Sequence, residues 1–155
     1  CSSDLDTYCG PNGGSEPETQ AMSTQLVNLG ATLNAVLTLH SYGNMWLFPW
    51  GNTVNYEGRT CDFADDHDDM MAVSDPAANA IEATYNTIWE RGNSCDVIYA
   101  TTGGTDDYAK GAAGIKYAFC PELRGNGFVI SAEHIPLSFQ EIWNGIVALC
   151  DAINA

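Results

Sequence analysis

The apolar residues fall into short blocks parted by glycine, proline and asparagine, and the spacing within each block predicts its element. Pro11, Asn12, Gly13, Gly14, Ser15 and Pro17 interrupt any regular period over residues 1–17, which read as loop. Ser15 with Glu18 three residues on has the form of a capping box, and Pro17 suits an early helical position. A helix is expected over about 16–29, with Ala21, Gln25/Leu26 and Leu29 on one face and Gly30 closing it in a left-handed conformation. Residues 34–40 read as a buried strand that ends in His40-Ser41-Tyr42-Gly43. A second strand, Met45-Trp46-Leu47-Phe48, follows after a tight polar connection and is stopped by Pro49-Trp50-Gly51.

Residues 51–67 are again loop and run into an acidic cluster at 62–69. Acids at a helix start oppose the positive end of its dipole. A helix is expected over about 68–91, with Met71, Ala78, Ile81, Tyr85, Ile88 and Trp89 inward and Gly92-Asn93-Ser94 as its stop. Val97-Ile98-Tyr99 reads as a short extended piece. Gly103-Gly104 turns into a short helix capped by Thr105 or an Asp. Residues 115–121 alternate as a strand, with Glu122 at the carboxyl end. Residues 125–137 are irregular, and 138–155 form an amphipathic helix with Phe139, Ile142, Trp143, Ile146, Leu149 and Ile153 inward. Helices interleave with strands, so the fold class is α/β, with a mixed, mostly parallel sheet flanked by helices.

The chain has 155 residues, about one domain, and carries 5 Lys and Arg against 20 Asp and Glu for a net charge of −15. Such a body repels phosphate backbones and anionic membrane surfaces, which excludes nucleic acid as a partner and favours basic ligands. No apolar run approaches the ~18 residues of a membrane span. The sequence opens on Cys1 with no signal segment before it, and is expected to be processed, cut or partial. Six cysteines stand at 1, 9, 61, 95, 120 and 150 with no Cys-x-x-Cys among them. Structural disulfides in a secreted, extracellular protein fit that count better than a zinc ribbon or a redox motif.

Several groups could do chemistry. His40 ends an apolar strand, where the sites of open α/β sheets collect, and is either a metal ligand, a base or a histidine hydrogen-bonded at a strand end. Glu122 ends another; it reads equally as a partly buried general base or as the ion-pair partner of Arg124. Of Asp106 and Asp107, one suits helix capping and the other is free to face a pocket. The run 65–69 lacks the glycine and spacing of a calcium loop and suits a solvated helix start. His134 reads as a surface residue. No Gly-x-Ser-x-Gly, His-x-x-Glu or His-Glu-x-x-His occurs, and Gly103-Gly104 leads into acids rather than a phosphate cradle.

Taken in order, these blocks resemble a known family. His40-Ser41-Tyr42 leading to Leu47-Phe48-Pro49-Trp50-Gly51, Tyr99 followed by Gly103-Gly104, and Gly114-Ile115-Lys116-Tyr117-Ala118-Phe119 closing on Glu122-Leu123-Arg124 are similar to the zinc metallocarboxypeptidases of the pancreatic type. The likeness runs from about Thr7-Tyr8-Cys9-Gly10-Pro11 to the last helix with Gln140-Glu141 and Trp143. It implies the zinc-carboxypeptidase fold, with zinc as cofactor and His40 as one ligand. Glu122 would be the general base, taking a proton from water and returning one to the leaving amine. Tyr99 would be the mobile tyrosine that closes over the substrate's terminal carboxylate. Ser41, Tyr42 and Phe128 would line subsites, and Gly51 and Cys120 would shape the specificity pocket. Asp106 takes the pocket-floor position that marks the B-type enzymes, which remove C-terminal Lys or Arg. The resemblance also implies cis peptide bonds at Ser41–Tyr42 and Pro49–Trp50.

The family's remaining zinc ligands and its carboxylate- and oxyanion-binding arginines lie upstream of the matched region. Residues 1–155 are thus expected to be the C-terminal half of one catalytic domain, inactive and a poor zinc binder without its N-terminal half. The expected activity of the complemented enzyme is secreted, digestive removal of basic C-terminal residues from peptides and proteins. Three rivals are an inactive peptide-binding module of the same fold, an acidic secreted protein that binds calcium through 62–69, and the same enzyme with A-type or mixed specificity should Asp106 point away from the pocket. The loop after Arg124 is short for the family, and Cys120 stands where a small residue is usual, either as a pocket wall or as half of a disulfide. Cys61 and Cys95 flank the second long helix and are expected to pair; Cys1–Cys9 is a second candidate, and Cys150 is expected to be buried and free.

Overall fold

A computed structural model describes residues 10–55 and 60–155; the candidate Cys1–Cys9 bridge lies outside them. Helix α1 (Pro17–Leu29) is followed by a single 3-10 turn, then strands β1 (Ala35–Leu37), β2 (His40–Ser41), β3 (Met45–Phe48), β4 (Thr53–Asn55) and β5 (Thr60–Cys61). Helix α2 (His67–Tyr85), strand β6 (Glu90–Asn93), helices α3 (Ser94–Val97) and α4 (Thr105–Gly111), strand β7 (Tyr117–Leu123) and helix α5 (His134–Ile153) complete the order. The fold is α/β with a mixed sheet. β7 runs parallel to β1 and β2 on one side and antiparallel to β3 on the other, and β3 runs parallel to β6. β4 and β5 form a separate antiparallel pair.

The two faces of the sheet are covered by different helices, and the period-two alternation of a strand decides what meets each. Trp46 and Phe48 of β3 and Phe119 of β7 pack against Met70, Ala77, Ala78 and Ile81 of α2 and Ile142 and Leu149 of α5. Ala118 faces the other way and packs with Leu26 of α1, Ala109 of α4 and Ile115. The Cys61–Cys95 disulfide forms as expected, and links β5 to α3. Cys150 is exposed rather than buried, because Leu149 beside it takes the inward position on α5. Among the described residues no helix is long and apolar enough to cross a membrane.

Several sequence expectations are corrected. The Ser15 hydroxyl bonds the Glu16 side chain instead of a helix N–H, so no capping box forms, and Gly30 is right-handed because it opens the 3-10 turn. Of the expected face of α1 only Leu26 is buried; Ala21, Gln25 and Leu29 are exposed. The stretch 34–40 is half-buried over 35–38 and exposed at 34, 39 and 40, since among the described strands β1 and β2 have β7 on one side only. β7 lies next to both β2 and β3, so the tight connection at 42–44 does not make a hairpin.

The second long helix ends at Tyr85, where Asn86 adopts φ 56°, ψ 41° and stops it; asparagine tolerates that left-handed geometry. Trp89 is then buried by the approach to β6, while Ile88 is exposed. Val97-Ile98-Tyr99 is not extended, because Asn93 caps α3 by accepting from the Asp96 amide. The last helix begins at His134, so His134 is helical; Ser131 Oγ lies 2.8 Å from its Nδ1. Phe139 and Trp143 stack on each other outside the core rather than pointing inward.

α2 and α5 cross at Gly145, where a methyl group would come within 2.6 Å of two Ile81 side-chain carbons and 3.3 Å of the Ala77 carbonyl oxygen. Gly145→Ala should therefore destabilise the protein by ~1–3 kcal/mol through overpacking. Adding Ile81→Val, which removes one of the crowded carbons, should recover part of that loss in urea unfolding; strictly additive costs would show that the crossing is not tight.

Candidate active site

The site follows from the face that β7 turns toward α4. Residues two apart on a strand share a face, so Ala118, Cys120 and Glu122 line up, with Ala118 buried and Glu122 at the open end. The parallel register sets His40 opposite Glu122. His40 Nδ1 lies 4.0 Å from Glu122 Oε1, and its Nε2 is 3.2 Å from Thr38 Oγ1. The His40 imidazole is half exposed, whereas the Glu122 carboxylate is mostly covered and its Oε2 is buried with no hydrogen-bond partner. Burial raises the Glu122 pKa, and His40 partly offsets this. The ion pair with Arg124 does not form; Arg124 turns to Glu141 at 3.3 Å, leaving Glu122 for other chemistry.

Cys120 is a free thiol, so it is not half of a disulfide. Burial chiefly, and the carboxylates of Asp106, Glu122 and Asp107, push its pKa up to about 12. One donor atom each from His40, Cys120 and Glu122 fall within 4.8 Å of one another, the one such group of potential metal ligands among the described residues. The sequence pattern carried this signal, since Cys120 and Glu122 stand two apart on a strand.

Asp106 is 6% exposed in the first turn of α4. Burial raises its pKa, while backbone amides of the turn and His40 work in the opposite direction. Neither Thr105 nor an Asp caps α4; Gly104 occupies the cap position, and its bare Cα leaves room for Asp106 Oδ1. Asp107 is the residue that sequence reasoning undervalued. Its two oxygens accept from the Gly51 N–H at 2.9 and 3.1 Å, which ties the loop after β3 to α4. A side chain at Gly51 would run into Thr101 Oγ1, so glycine is required at this close approach.

The remaining predicted residues lie around this group. Tyr99 is 68% exposed beyond α3. Tyr42 and Phe128 meet edge to face at 5.2 Å, and Ser41 and Phe128 border a groove shared with Leu123, Ile135 and Phe139. The Ser41–Tyr42 and Pro49–Trp50 bonds are both cis. The acidic run at the start of α2 is engaged by cations: Lys110 holds Asp66 at 2.8 Å and Lys116 holds Asp69 at 2.8 Å. A cavity of about 660 Å³ between the starts of α1 and α4 borders none of His40, Cys120 and Glu122.

His40 and the mostly covered Glu122 meet at one end of the α/β sheet, with the buried Asp106 in the neighbouring helix, and comparison with known proteins gives the family. The zinc carboxypeptidase profile matches residues 2–145. The chain is 36% identical over 152 residues to carboxypeptidase B of Astacus astacus, covering 96% of this chain and 48% of that protein. It is 33% identical over 150 residues to carboxypeptidase O of Bos taurus, covering 95% and 38%. The crystal structure of carboxypeptidase A from Helicoverpa armigera superposes with a TM-score of 0.84 at 26% identity, over 96% of this chain and 36% of that one. Bovine thrombin-activatable fibrinolysis inhibitor, in complex with tick carboxypeptidase inhibitor, gives 0.85 at 26% identity, over 95% and 48%. The chain belongs to the zinc carboxypeptidase family, and it spans half or less of the length of these relatives.

The Asp107 clamp has a measurable pH signature. Burial chiefly raises the Asp107 pKa from 3.8 to about 6. The folded state therefore holds a proton between those values that the unfolded chain has released, and this group makes stability fall as pH rises through that window. Asp107→Asn should flatten that dependence in urea unfolding. Asp107→Ala should cost ~1–3 kcal/mol by leaving the Gly51 amide unpaired. An unchanged pH profile in the Asn variant would show that Asp107 does not titrate there.

Proposed function

We propose that this chain supplies the base, one metal ligand and the specificity pocket of a secreted zinc carboxypeptidase that removes C-terminal Lys or Arg. The observation that carries the basic preference is Asp106, a carboxylate buried in the first turn of α4. Lys110, Lys116, Arg91 and Arg124, the described basic residues, are each held by other acids. A substrate guanidinium or ammonium would give Asp106 a charge-assisted partner. An apolar side chain there would leave the carboxylate desolvated with only its backbone amides and no counter-charge, which costs ~1–3 kcal/mol. Relatives named carboxypeptidase A, B and O share the match, so the pocket residue rather than overall likeness argues the preference.

The donor set fits zinc. His40 offers an imidazole nitrogen toward a carboxylate whose second oxygen is buried without a partner. Zinc, when bound, would polarise the scissile carbonyl and make water more acidic. Glu122 then takes a proton from the attacking water and passes one to the leaving amine nitrogen; its covered setting raises its proton affinity toward that task. Tyr99, being exposed, is free to close over the terminal carboxylate, and Ser41, Tyr42 and Phe128 border the substrate's path. Gly51 and Cys120 wall the pocket, with Gly51 fixed by Asp107.

Further zinc ligands and the groups that bind the carboxylate and the oxyanion would come from an upstream part of the same domain. Two observations support a division of this kind: the match spans 48% of the Astacus astacus relative, and β1 and β2 pair with β7 but with no described strand on their other side.

Release of C-terminal Arg and Phe from otherwise identical peptides by the full-length enzyme tests the reading. The wild type should favour Arg, and Asp106→Ile should reverse the ratio of kcat/KM values. An unchanged ratio would remove Asp106 from the pocket floor.

A further inference from the structure

We propose that His40, Cys120 and Glu122 form a binding site of their own for a thiophilic divalent cation such as cadmium, with the Cys120 thiolate as a ligand. The inference goes beyond the peptidase reading, which uses Cys120 only as a pocket wall, because it makes the thiol a metal ligand. The expectation that residues 1–155 bring a single metal ligand counted matched positions only. Folding adds two donors to it. One nitrogen of His40, the Cys120 sulfur and one oxygen of Glu122 lie within 4.8 Å of one another.

A four-coordinate ion with bonds of ~2.0–2.3 Å wants donors roughly 3.3–3.8 Å apart. The donors need to close by about an ångström, which rotation of the half-exposed imidazole and of the glutamate side chain supplies. Further features favour an ion there. Glu122 Oε2 is buried and lacks a partner, so a cation would satisfy it. Thr38 Oγ1 sits on the far ring nitrogen of His40, the outer contact that orients a ligating imidazole.

Thiolate, imidazole and carboxylate together select cadmium or zinc over magnesium or calcium. Binding breaks the Cys120 S–H bond, forms the sulfur–metal bond and releases one proton to solvent. An ion so held would occupy the Glu122 carboxylate and the His40 imidazole at once, and would therefore compete with the family's zinc and silence the base.

The test uses full-length protein freed of metal by a chelator and titrated with cadmium chloride. The ultraviolet charge-transfer band from thiolate to cadmium should grow to saturation in the wild type and in Cys150→Ser, which removes the exposed thiol. It should fall by one ion's share in Cys120→Ser. A band unchanged in Cys120→Ser, or no band in the wild type, would overturn the proposal. Should Cys120→Ser fail to fold, cadmium NMR of the Cys150→Ser variant gives the answer, since a sulfur ligand moves the resonance far downfield and oxygen and nitrogen ligands alone do not. A missing band beside intact Arg release would defeat this site and leave the peptidase reading standing; a band beside absent peptidase activity would do the reverse.

Discussion

The parallel register between β2 and β7 is the constraint on which the site depends. Glu122 and His40 are separated by most of the described chain, yet the ladder sets them side by side at the open end of the sheet. A slip of one residue would send Glu122 and Cys120 to the α2 and α5 face and leave the imidazole opposite an aliphatic side chain. What resists such a slip is burial. Phe119 on one face and Ala118 on the other are both fully buried, and neither can exchange faces without exposing or overfilling a core. The chemistry at the strand end is thus held by apolar packing a few residues away.

Two polar contacts extend that control to the edges of the site. The Arg124 guanidinium reaches Glu141, which is fully buried in α5 and also accepts from Thr87. This turns Arg124 away from Glu122 and anchors the exit of β7 to the helix behind it. Burial of an ion pair is seldom a net source of stability, but removing one partner is costly, so the pair defines where the strand must end. On the other side, Asp107 grips the Gly51 amide and fixes the loop after β3 against α4. Between these anchors, Asp106, Cys120 and Glu122 remain without a described Lys or Arg beside them. In a chain of net charge −15, that concentration of carboxylate and thiol is suited to cations, whether a substrate side chain or a metal.

Much of this was legible in the sequence because it rests on local rules. The strand 45–48, the turn at Gly103-Gly104, the inward positions Ile142 and Leu149 and the Cys61–Cys95 pair all followed from period, turn chemistry or flanking position. The ordered blocks around His40, Tyr99 and Glu122 carried the family. What failed was decided by distant partners or by single backbone angles. Asn86 looked like one more polar helix position until its left-handed geometry ended α2 and freed 90–93 to become a strand beside β3. Phe139 and Trp143 fit the apolar stripe of α5, but they stack on each other outside the core. Asp107 and Arg124 were ambiguous because their partners, Gly51 and Glu141, are remote in sequence and could not be paired from spacing.

The central claim is that the imidazole and the carboxylate brought together by that register belong to one zinc centre. Crystals of the full-length protein grown with zinc, with anomalous diffraction collected at the zinc edge, test it most directly. The account predicts a peak at bonding distance, about 2.0–2.1 Å, from a ring nitrogen of His40, with the Glu122 carboxylate facing the same ion. Zinc seated elsewhere, or an imidazole turned out of the space it shares with Glu122, would contradict it.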